Sequence, residues 1–149
     1  MTKLSPLLDE YDLSHRHPTN ITIHWIAEPL AIFALLALVA SASVGGVSLI
    51  WPFLVLMLGY FARLSGRVAI AFLPIVAVFL VVIWALNGAV SVPTWQWAVP
   101  VFAICWIALL IGHKIEGRVP SVFQNPNLIF VGPAWLMRIV FRRLGLPDP

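Results

Sequence analysis

The chain has 149 residues, of which 61% are hydrophobic and 10% charged, and it carries a net charge of +3. An ordinary soluble domain carries about 25% charged residues. This chain therefore lacks the polar surface needed to cover a water-soluble globule, and residues 1–149 read as a single integral membrane domain. The basic residues lie beside apolar stretches, where they set membrane orientation, so nucleic acid is excluded as a partner. Cys105 is the one cysteine, lies in an apolar run, and forms no intrachain disulfide.

In chain order, Ser5-Pro6 reads as a helix start, a capping serine followed by a first-turn proline. The short helix it opens runs to about Arg16 and puts Leu8, Tyr11 and His15 on one face. Acidic Asp9, Glu10 and Asp12 precede the first apolar run, which argues against a cleavable signal peptide. Pro18 separates this helix from the first span, with Thr19 or Asn20 as its cap. No charged residue occurs from Pro29 to Ala62 or from Val68 to Gly112. A membrane-crossing helix needs about 20 apolar residues, so each run is long enough for two. Gly45-Gly46 splits the first run, and Asn87-Gly88 with Pro93 splits the second.

The expected architecture is an all-α, polytopic membrane helical bundle with four transmembrane helices near 22–43, 47–63, 68–87 and 96–113. The segment at about 128–144 is basic and interrupted by Gly132-Pro133, so it reads as an interfacial helix. With four spans, all nine Lys and Arg residues fall on one side, which places both termini in the cytoplasm. The membrane is a bacterial inner membrane, or the endoplasmic reticulum in a eukaryote. Trp51, Trp95 and Trp97 then lie at the outer boundary.

The chemistry-bearing residues collect at the cytoplasmic edge. Asn20, His24 and Glu28 are four apart on one helical stripe, and His113 and Glu116 are three apart at the end of the last span. Pro29 disfavours helical geometry at Glu28 and frees the carbonyl of Trp25. Two or three histidines with one carboxylate and an open position suit non-haem Fe(II) or catalytic zinc. A satisfied polar cluster at helix ends is the structural alternative, as is a His/Glu relay in a small transporter or a scaffold protein. A bis-histidine haem site using His24 and His113 is a third option. Nothing resembles a serine nucleophile elbow or a phosphate-binding glycine loop.

Two blocks carry a family resemblance. Tyr11, His15, Asn20, His24 and Pro29 match a Y-x3-H-x4-N-x3-H-x4-P block, and Trp106, Gly112, His113, Glu116 and Pro120 resemble a W…GH…E…P block. With these the chain resembles the small membrane proteins related to the 2-hydroxy-fatty-acid dioxygenase of fatty acid α-oxidation. Three departures stand out: Ala27 where many members have glycine, Leu109 for a frequent glutamine, and Glu116 three rather than four residues after His113. The resemblance implies an Fe(2+)-dependent reaction with O2 that shortens a 2-hydroxy fatty acid by one carbon, on a substrate met among membrane lipids. It implies His15, His24 and His113 as iron ligands and Glu116 as a further ligand or a support of the ligand set; Glu28, on the stripe of His24, is a candidate for the same part. Tyr11, Asn20 and Glu116 are the expected catalytic and orienting groups. Arg63, Arg67 and Arg118 are candidates to steer the substrate carboxylate.

Overall fold

A computed structural model describes residues 3–125, 128 and 130–149. The helices are α1 (Ser5–Asp12), α2 (Pro18–Ser41), α3 (Ile50–Leu64), α4 (Gly66–Ala89), α5 (Thr94–Glu116), α6 (Ser121–Gln124) and α7 (Val131–Arg143). The only sheet among the described residues is a two-stranded antiparallel ribbon, β1 (Ser43–Val44) and β2 (Val47–Ser48). Its turn is Gly45-Gly46 at φ +59° and +81°, the left-handed conformation that a two-residue hairpin turn requires.

Three helices, α2, α4 and α5, are long and apolar enough to cross a membrane. The four expected apolar helices are all present, but α3 has only 15 residues. At 1.5 Å per residue it is about 22 Å long, less than the roughly 30 Å of a hydrocarbon core. Most of the surface of each long helix is exposed and apolar, as lipid contact demands, with Ile26, Ile70, Trp84 and Ile104 among the most exposed side chains.

Several boundaries differ from the sequence expectation for local reasons. Pro18 is the first residue of α2, where its missing N–H costs nothing, and the ring nitrogen of His17 accepts from the Thr19 N–H as the cap. The helix continues through Pro29. Asn87-Gly88 stays inside α4, and the chain turns at Val90–Pro93 instead, braced by a 2.6 Å Thr94 to Asn87 hydrogen bond. Gly132-Pro133 falls in the first turn of α7 rather than interrupting it. α1 ends at Asp12, but Leu13, Ser14 and His15 each donate their N–H three residues back. That tighter turn keeps His15 on the side of Leu8 and Tyr11.

Helix α5 runs antiparallel along α2, and α3 folds back on α4 with Phe61 stacked on Phe72 at 4.7 Å. Gly112 lets α5 approach α2 closely, since a Cβ there would collide with the Asn20 carboxamide. Gly132 does the same for α7, whose Cβ would overlap the Glu28 carboxylate and crowd the Tyr11 hydroxyl. Helix α5 ends at Gly117, which adopts φ +72° and returns N–H bonds from Gly117 and Arg118 to Lys114 and His113.

Candidate metal centre

Helices α2 and α5 each bring one histidine, His24 and His113, to the same end of the bundle, and the turn after α1 folds His15 over both. All three rings are buried. One ligand-capable nitrogen from each lies within 4.8 Å of the others, and neither glutamate belongs to the group.

The tautomers follow from the backbone. His15 Nδ1 donates to the Tyr11 carbonyl at 2.7 Å, and His24 Nδ1 donates to the Asn20 carbonyl at 3.0 Å. A neutral imidazole carries one proton, so both Nε2 atoms present lone pairs. These two nitrogens face each other at 3.0 Å. Burial, then the neighbouring His24, pushes His15 down to about 3, which keeps it neutral near pH 7. Two lone pairs in contact call for a cation between them. Nitrogens each about 2.1 Å from one metal ion at right angles lie about 3.0 Å apart. The buried Nδ1 of His113 has no hydrogen-bond partner among the described residues. The donor set thus fits a metal with open positions. It does not fit a haem, because the His15 ring sits 4.4 and 4.7 Å from the other two and fills the space a macrocycle would need.

Aromatic rings hold His15 in place. Tyr11 stacks on it at 3.9 Å and 8°, and Trp135 of α7 leans against it at 4.9 Å. Burial, then the charge of Glu28, pushes the Tyr11 phenol well above its ordinary range, so it remains a donor. Ser14, beside His15, hydrogen-bonds Ser121 at the start of α6.

The two glutamates are placed differently. Glu116 accepts from the backbone N–H of Arg16 at 3.1 and 3.2 Å, of His17 at 2.6 Å, and from the Asn20 amide at 3.3 Å. It hooks the end of α5 onto the turn leading into α2. Glu28 is 8% exposed, and its Oε2 lacks any partner among the described residues. Asn20 donates to the Ser14 carbonyl as well as to Glu116, while its buried Oδ1 has no partner among the described residues.

A cavity of about 310 Å³ adjoins the cluster, lined by the polar Tyr11, His24, Glu28, His113 and Ser121 and otherwise by apolar side chains. Arg63, Arg67 and Arg118 are exposed, and none lines this cavity.

The sequence reading did not single out Arg138, although it decides where α1 sits. Its guanidinium is buried and bonded to Asp9 at 2.8 Å, Asp12 at 3.1 Å and Asp148 at 2.9 Å. Trp135 donates to Asp12 at 2.5 Å. A signal existed: Asp9 and Asp12 are three apart, as are Trp135 and Arg138, so two complementary faces could be paired.

Fold and site together define a helical membrane protein with a buried three-histidine site beside an apolar cavity. The chain belongs to the family described as Mpo1-like (2-hydroxy-palmitic acid dioxygenase Mpo1-like), whose model matches residues 1–144. No curated protein and no solved structure matches it.

Proposed function

We propose that the protein is a membrane-embedded Fe(II)-dependent dioxygenase that converts 2-hydroxy fatty acids to acids one carbon shorter, with its site at the cytoplasmic membrane face and both termini in the cytoplasm. The observation that carries this reading is the pair of bare Nε2 atoms facing each other at 3.0 Å, with His113 beside them and an apolar cavity alongside. The family description supports the substrate class. Atom balance has the C1–C2 bond break, with C1 leaving as CO2, C2 becoming the new carboxyl carbon, O2 as oxidant and water as the second product.

His15, His24 and His113 would hold the iron, which supplies O2 binding and activation at open positions. The rest falls to the chain. The Tyr11 and Asn20 carbonyls fix the histidine tautomers, as second-sphere partners of metal-bound histidines do. Glu116 and Asn20 hold the turn that carries His15 above α2. Tyr11 offers a phenol donor at the cavity, whose apolar walls exclude water. Arg63, Arg67 and Arg118 act from the surface, drawing the carboxylate toward this end of the bundle by long-range attraction.

A transporter is the weaker reading. Residues 29–39 of α2, 68–86 of α4 and 99–112 of α5 contain no charged or amide side chain, so no polar path crosses the bundle. The test is to purify the protein, quantify bound metal, and follow O2 uptake with a 2-hydroxy fatty acid and Fe(II). Wild type should bind about one iron and turn over, and His24→Ala should do neither. Equal metal content in both, with no turnover of any hydroxy acid, would sink the enzyme. A reporter fused after Pro149 should read cytoplasmic.

A further inference from the structure

The cavity beside the histidines has two unlike ends. At one lie Tyr11, His24, His113 and Glu28, whose Oε2 is buried without a partner among the described residues. From there the walls are apolar, with Ala31 and Leu35 along α2 and Phe102, Trp106 and Leu109 along α5. One unpaired oxygen at the head of an apolar trough matches a molecule with a hydroxyl at its polar end and an alkyl tail. An unpaired buried acceptor is unfavourable, so a ligand that brings a hydroxyl there is preferred over one that brings hydrogen.

Resting on the dioxygenase reading above, we propose that Glu28 accepts the 2-hydroxyl of the hydroxy acid and that the trough between α2 and α5 gauges the length of its chain. A tail that arrives from lipid is already out of water, so each methylene gains little by entering an apolar wall. Discrimination therefore comes from the Glu28 contact and from the shape of the trough. At 1.5 Å per residue, Ala31 lies about 4.5 Å and Leu35 about 10 Å along α2 from Glu28. An extended chain advances about 1.25 Å per methylene, given C–C bonds of about 1.5 Å. Ala31 thus stands beside about the fourth carbon beyond C2, and Leu35 beside about the eighth.

The test uses the full chain in phosphatidylcholine nanodiscs, with iron removed by chelation and binding to empty discs subtracted. The probes are radiolabelled 2-hydroxybutanoate, 2-hydroxyoctanoate, 2-hydroxypalmitate and palmitate, the first ending short of Ala31 and the second short of Leu35. Leu35→Trp should weaken 2-hydroxypalmitate about tenfold relative to 2-hydroxyoctanoate. Ala31→Leu should weaken both of these about tenfold relative to 2-hydroxybutanoate. Glu28→Gln should cut the preference for 2-hydroxypalmitate over palmitate about tenfold. Val81→Leu, on the exposed face of α4, is the control and should leave every ratio unchanged. Should Leu35→Trp fail to elute as a folded species, Leu35→Phe takes its place with a smaller step of the same sign. The same loss for all chain lengths, or unchanged ratios in folded variants, overturns the gauge. Length-dependent binding without turnover by the iron-loaded wild type refutes the dioxygenase and leaves the gauge standing. Turnover whose length preference survives both variants refutes the gauge and leaves the dioxygenase.

Discussion

Two polar clusters, one around the buried histidines and one around the buried Arg138, sit at the same end of this molecule, and they are opposite in kind. Around Arg138 each guanidinium nitrogen has a partner: three carboxylates take up one guanidinium, Asp148 is shared with Arg142 through two parallel 2.9 Å contacts, and Trp135 donates to Asp12. Around the histidines the needs are left open, with two lone pairs face to face and atoms on Asn20, Glu28 and His113 that have no partner among the described residues. A polar group buried without a partner is destabilising, and a bound ligand of the kind proposed above would relieve several such groups at once. The satisfied cluster is the fastening that holds α1, and with it Tyr11 and His15, onto the body of the bundle.

The largest effect should come from His24→Ala, which removes one of the facing lone pairs. Bound metal and turnover should fall at least a hundredfold, while the thermal midpoint of the metal-free protein changes little. A metal-free protein that unfolds instead would recast the histidines as structural. Arg138→Met should act in the other direction. Stability should drop by about 2–3 kcal/mol, because three carboxylates lose their cation, with the value reduced by their partial exposure. Metal affinity should fall with it as α1 loosens, and Arg138→Lys should recover part of both. Both are read by thermal unfolding and metal titration on the same samples.

Gly132→Ala should cost about 1–3 kcal/mol by overpacking against Glu28 and Tyr11. No loss would mean that α7 does not seat as described. The pH dependence is small near neutrality and builds up in acid. His15 in the fold titrates near 3, against 6.5 for the free side chain, so below pH 6.5 the unfolded chain takes up a proton that the fold refuses. Metal-free protein should therefore lose stability steadily as pH falls from 6.5 toward 3, and His15→Phe should flatten that slope. The smallest effect is expected for Asp148→Asn. Hydrogen bonds from Arg142 and then Arg138 hold Asp148 below the usual carboxylate range. Its pairs are partly exposed, so the loss should be at most about 1 kcal/mol and should shrink in high salt.

Much of this was readable from the chain because it rests on local chemistry. Long uncharged runs meant apolar helices, Gly45-Gly46 meant a turn, and Leu8, Tyr11 and His15 shared a face. The three histidines were legible too, since ionisable groups beside hydrocarbon are few. Helix ends were less so. Whether Pro18 or Gly132-Pro133 starts a helix or breaks one depends on what packs beside it. The pairing of Asp9 and Asp12 with Arg138 was hidden because its partners lie more than 120 residues apart.

The glutamates mark the boundary most clearly. Sequence by itself determined an apolar helical body, the residues able to carry chemistry, and that they lie at helix ends, because composition and helical period act along one chain. Only the tertiary structure decided that Glu116 is consumed by backbone N–H groups while Glu28 keeps a bare oxygen at a cavity. The difference arises from close approach: Gly112 and Gly132 let neighbouring helices press on Asn20 and Glu28, and a one-dimensional pattern does not record which surfaces come that near.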